Sequence, residues 1–172
     1  MEYINRALNF PPVSRIRRNH ALEHATLQVL AKKYPRTSAA GYSDTRGFLI
    51  LGNVSTDHLR EGVSEALRRL QAGEAELAIH PNCGTNFAAT GVVVGSLAWL
   101  AMVGANGSFS KKMERWPVVV MLATIGMILA QPLGPLLQAQ FTTDGDIGEL
   151  QVTEITRFER EGTPLHRVKT IN

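Results

Sequence analysis

The sequence predicts an α+β fold: a small helix-strand-strand-helix-strand head, two transmembrane helices and a strand-rich C-terminal tail. Three observations predict it. The hydrophobic period switches between helical and strand values along residues 13 to 80. Two runs, residues 87 to 105 and 116 to 138, contain no charged residue. Beyond residue 150, two short alternating segments flank a turn signal, Glu161-Gly-Thr-Pro164. The expected boundaries are a head over 1–86, a hydrophobic hairpin over 87–138 and a tail over 139–172 that packs on the head. A chain of 172 residues has room for one domain of ordinary size.

Taken in order, Pro11-Pro12 argues against helix before about Val13, and a first helix is expected over 13–33, ending before Pro35. Ile16, Leu27 and Ala31 flank its histidines while Leu22, Ala25 and Val29 line the opposite face, as in a helix buried on both sides. TSAAGYS and GFLILGNV read as strands joined at Asp44-Thr-Arg-Gly47. Ser55 or Thr56 can cap a second helix reaching about Ala72. Leu59, Val63, Leu67 and Leu70 form its apolar stripe, and Gly73 is a fitting stop. AELAIH, residues 75–80, reads as a third strand.

Each uncharged run can cross a hydrocarbon core about 30 Å thick at 1.5 Å per helical residue. Gly91 and Gly95, four apart, would let two such helices approach closely. Pro132 and Pro135 should kink or end the second one near Gln131. LQVTEITRFE and LHRVKTI then form the tail hairpin.

The net charge is +3 and the pI about 9.3. The basic clusters at 15–18 and 111–115 are not interleaved with aromatics, which speaks against nucleic acid and for solvent or lipid headgroups. Cys83 is the single cysteine, so no intramolecular disulfide can form. The first thirty residues lack the pattern of a cleavable signal peptide. Lys111, Lys112 and Arg115 between the apolar runs would favour a cytoplasmic loop. That arrangement would export a head carrying Arg15, Arg17, Arg18, Lys32, Lys33 and Arg36. The expectation is therefore a two-span protein of the cytoplasmic membrane, with head and tail in the cytoplasm and residues 106–115 outside.

The chemistry concentrates in NHALEHAT, residues 19–26, which hold two of the five histidines. His20 and His24 lie one helical turn apart, with Cβ atoms roughly 6 Å from each other. Two imidazoles at that spacing can share an ion of zinc size. Glu23 borders the same face in an H-x-x-E-H order, the inverse of H-E-x-x-H, and is the candidate catalytic base. Glu61 and Glu65 point away from their helix's apolar stripe and read as solvated charges. The loop His80-Pro81-Asn82-Cys83-Gly84-Thr85 offers an imidazole and a thiolate three residues apart. The candidate metal residues are thus His20, His24, Cys83 and His80, and the metal expected is zinc or another divalent transition metal.

HALEHAT, followed by HPNCGT ahead of an apolar hairpin, resembles uncharacterised domain-of-unknown-function families of bacterial membrane proteins. Those have an H-x-A-E-H helix and an H-P-x-C-G-T loop. LLQAQFTTDGDIGEL, residues 136–150, is similar to a further motif of theirs. The resemblance implies that the segment carrying Thr142, Thr143, Asp144 and Asp146 returns to the head and lines the site; by its residues alone it reads equally as a polar juxtamembrane loop. It implies no particular reaction.

Two functions from different classes follow. In one, His20, His24 and Cys83 hold zinc with one position open, Glu23 is the base, and His80 orients a ligand in a membrane-anchored hydrolase or peptidase. In the other, His80 closes a tetrahedral shell and the metal fastens a non-enzymatic assembly or scaffold protein. A metal-free role for the histidines in a membrane complex or with a pigment is a third. The partners implied are the lipid bilayer and a membrane-proximal protein substrate or partner, with no nucleic acid.

Overall fold

Proline opens the first long helix instead of delaying it. Pro11 and Pro12 occupy the first two helical positions, where a missing N–H breaks no intrahelical bond and φ is already set. Helix α2 therefore runs Pro11–Lys33, two residues earlier than expected, and a short α1 (Glu2–Leu8) precedes it where no helix was predicted. The computed structural model describes residues 2–104 and 109–171; the expected end of the first apolar run at Ala105 and positions 106–108 of the following loop lie outside the described residues. Along α2 the stretch 21–26 is buried on every side, whereas Ile16 and Ala31 near the ends are exposed. Burial on both sides thus holds for the middle of the helix alone.

β1 (Ala39–Asp44) and β2 (Gly47–Gly52) pair antiparallel through a two-residue connection. α3 (Thr56–Gln71) starts where Ser55 Oγ accepts the His58 N–H at 3.1 Å. Leu59, Val63 and Leu70 of its stripe are buried against α2.

The expected strand over 75–80 is corrected: Ala75–Ala78 form a 3₁₀ turn. The physical reason is that α2 side chains use the carbonyls a strand ladder would need. Gln28 Nε2 donates to Leu77 O and Ile79 O at 2.8 and 3.0 Å, and His24 Nδ1 donates to Ala78 O at 2.6 Å.

The missing sheet partner comes from the C-terminus. β3 (Gln151–Arg160) and β4 (Thr163–Ile171) form a hairpin around Glu161 and Gly162, both at positive φ (51° and 77°). That is the turn geometry that matches strand twist in a two-residue hairpin. β4 pairs antiparallel with β2, setting Val168 beside Phe48 and His166 beside Ile50, so the sheet order is β1-β2-β4-β3. Phe48, Ile50 and Val168 are fully buried with Leu22 and Leu59. Fully buried Asn19 joins α2 to the sheet: its Nδ2 donates to Asp44 O at 2.8 Å, and Thr170 Oγ1 donates to its Oδ1 at 2.7 Å. A buried amide is tolerated when both its ends are so bonded.

Contacts divide the chain into Met1–His80 with Gln138–Asn172, and Pro81–Leu137. The second unit holds α4 (Gly84–Met102), α5 (Phe109–Glu114), α6 (Trp116–Ala130) and α7 (Leu133–Leu137). α4 is long and apolar enough to cross a membrane. The second run reaches that length only as Trp116–Ala130 plus Leu133–Thr142, bent by 47° at the break beside Pro132. The close approach of α4 and α6 lies at Gly126, where an added Cβ would come within 2.9 Å of Leu97. A Cβ added at Gly91 or Gly95 would meet nothing within 4 Å among the described residues, so the close approach is formed at Gly126 instead of through them.

Candidate metal centre

α2 places His20 and His24 one turn apart on a common face, with ring centroids 4.2 Å from each other. His24 is 2% exposed. Its Nδ1–H donates to Ala78 O at 2.6 Å, and the His20 Nδ1–H donates to Thr142 O at 2.9 Å. A carbonyl oxygen can only accept, so each of these rings carries its proton on Nδ1. The lone pair of a neutral ring then sits on Nε2, the atom a metal would take.

His80 follows the 3₁₀ turn, and its ring centroid is 5.5 Å from that of His24. Its backbone is gripped by the fully buried side chain of Gln138. The His80 N–H donates to Gln138 Oε1 at 2.8 Å, and Gln138 Nε2 donates to His80 O at 3.1 Å. Cys83, 6% exposed, precedes α4, and its sulfur accepts the Thr85 N–H at 3.5 Å. Among the described residues, His20 and His24 each offer an imidazole nitrogen and Cys83 a thiol, a group of three donors of the types that could hold one ion. Two oriented imidazole nitrogens and a thiol form a donor set that fits zinc. His80 is not a member of that group of three.

Glu23 is also outside the group. It is 4% exposed, and its Oε2 accepts from Ser43 Oγ at 2.5 Å. Gly41 of β1 lies against the same carboxylate, and a Cβ at that position would overlap it. The chain therefore reserves space on the strand for this acid.

Glu61 and Glu65 lie at the surface, as their positions off the apolar stripe predict, and both pair there with Lys33. Lys33 Nζ lies 2.8 Å from Glu61 and 2.5 Å from Glu65, and Tyr34 donates to Glu61. Lys33 holds both carboxyls below the usual range, and they raise the lysine in turn. His58 stacks on Tyr34 with centroids 3.8 Å apart. His166 is buried in β4 beside Thr56, Nε2 to Oγ1 3.0 Å. Neither belongs to the group.

The segment after α7 does reach the head. Gln138–Thr142 form a single π-turn, Thr143 is buried, and Asp144 lies within 4 Å of both Arg17 and Arg18. Asp146 Oδ1 accepts the Gly148 N–H within its own loop. Sequence reasoning missed Gln138, Arg17 and the Ala78 carbonyl. Gln138 alone left a trace, as a polar residue closing an uncharged run.

Residues 15–155 match the domain of unknown function DUF6391. An uncharacterized protein of Picosynechococcus sp. is 33% identical over 181 aligned positions, covering 94% of this chain and 84% of that relative. No solved structure matches the chain. On the family match and that relative, the chain belongs to the DUF6391 family.

Proposed function

We propose that this chain is a membrane-anchored zinc protein in which His20, His24 and Cys83 hold the ion and leave one position for a hydrolytic substrate. The observation that carries the reading is the pair of Nδ1–H bonds to Ala78 O and Thr142 O, because these fix both rings with Nε2 as the donor. A bound divalent ion supplies a Lewis acid that activates water and polarises a carbonyl. Glu23, seated between Ser43 and Gly41, is the carboxylate base that takes up a proton, and its burial excludes bulk water from that exchange. His80 orients the loop. The substrate that suits this chemistry is a peptide bond close to the bilayer, by analogy with the inverse H-x-x-E-H order.

The second reading is a closed, structural site with His80 as fourth ligand, in a scaffold protein. It is favoured by the 5.5 Å between the His24 and His80 rings. In both readings α4 and the bent pair cross the cytoplasmic membrane, and head and tail lie in the cytoplasm.

Elemental analysis of detergent-purified protein should return about one zinc per chain, sharply reduced in His20→Ala and Cys83→Ala and unchanged in His58→Ala. X-ray absorption separates the readings. Two nitrogens and one sulfur plus an exchangeable oxygen supports the hydrolase, and three nitrogens with one sulfur supports the scaffold. Wild-type protein that takes up no transition metal rules out both.

A further inference from the structure

The π-turn Gln138–Thr142 has a carbonyl arrangement that points to one residue of α2. A π-turn is rare and concentrates at functional sites. Here the Thr143 N–H bonds the Gln138 carbonyl five residues back at 3.0 Å, and Thr143 Oγ1 donates to the same oxygen at 2.9 Å. The later carbonyls of the turn are directed at α2. Arg17 Nε donates to Phe141 O at 2.9 Å and Arg17 Nη2 to Thr143 O at 2.9 Å. The carbonyl between those two, Thr142 O, accepts from His20 Nδ1. Arg17 therefore grips the carbonyls on either side of the one that His20 uses. Arg17 and His20 are three apart on a helix, so both reach the turn from one face. The Asp144 N–H donates back to Arg17 O at 3.2 Å, and the Arg17 side chain is 11% exposed.

On the metal-binding reading above, we infer that Arg17 is a positioning residue that sets the tautomer of His20, and with it the donor atom, through the Gln138–Thr142 π-turn. The planar guanidinium serves three carbonyls at once, those of Gln140, Phe141 and Thr143, with fixed geometry. A lysine would keep the charge toward Asp144 but present a point donor without the fork. A role in charge balance alone would be rescued by lysine; a role in positioning would not.

The test uses the full chain in detergent and two readouts. Imidazole ¹⁵N NMR of metal-free protein reads the His20 tautomer, and chelator competition with Zn²⁺ reads affinity. Wild type should show His20 protonated on Nδ1. Arg17→Gln and Arg17→Lys should both show mixed tautomers and bind Zn²⁺ roughly 10–100-fold more weakly, the range for loss of outer-shell support. Circular dichroism checks folding, and Arg17→Lys decides if Arg17→Gln does not fold. A folded Arg17→Lys protein with the wild-type tautomer overturns the inference. If wild type takes up no Zn²⁺ while Arg17→Lys still shifts the tautomer, the metal reading fails and the positioning role stands.

Discussion

Glu23 illustrates how a single side chain is held in place by what its neighbour lacks. Gly41 supplies the space and Ser43 the proton, so Gly41→Ala must displace the carboxylate or the strand. The expected cost is about 1–3 kcal/mol, typical of overpacking, read as a lower denaturant midpoint. An unchanged midpoint would mean that Glu23 relocates freely. His166 has a different consequence. Burial, together with the Arg157 charge, holds its pKa below the ordinary 6.5. The unfolded imidazole then takes up a proton first as pH falls. The stability present above pH 6.5 is lost as pH drops from 6.5 to the folded pKa. Denaturant titrations of metal-free protein should show that slope in wild type and a flatter one in His166→Leu.

At the scale of elements, the sheet makes a head ending at residue 86 incomplete. β2 needs β4 on its open edge, and Phe48 and Ile50 need Val168 beside them in the core. A fragment of residues 1–86 should therefore lack the dispersed amide NMR spectrum of a folded domain, and adding residues 138–172 through a short linker should restore it. Dispersion in the fragment alone would show that β4 is dispensable. What the sequence made legible follows from the same physics. The Ser55 cap, the turn after Asp44 and the Glu161-Gly162 turn are local signals, set by residues within a few positions of each other. The 75–80 segment was misread because its strand-like alternation is local, whereas Gln28 and His24 claim its carbonyls from about fifty positions away. Within the site, the H-x-x-E-H spacing was visible, but the fastening of Glu23 to β1 was not, since Gly41 and Ser43 carry no chemical motif.

For the whole molecule, orientation can be tested at the polar connection between α4 and α6. In a Cys83→Ser background, a cysteine introduced at exposed Ser110 should react with a membrane-impermeant maleimide on intact cells, and one at Ser55 should not. The opposite labelling pattern would invert the proposed topology.

The sheet order β1-β2-β4-β3 also sets a timetable. The ribosome makes β1 and β2 first, then both apolar segments, and reaches β4 only after them. At about 5–20 residues per second, the half-sheet waits for many seconds with β2 as an unprotected edge. During that interval the greasy segments emerge and are available to the insertion machinery. On the proposed membrane reading, insertion would come before completion of the head. A nascent chain stalled before β4 would be open to chaperones and proteases, although all of its candidate metal ligands have already been synthesised.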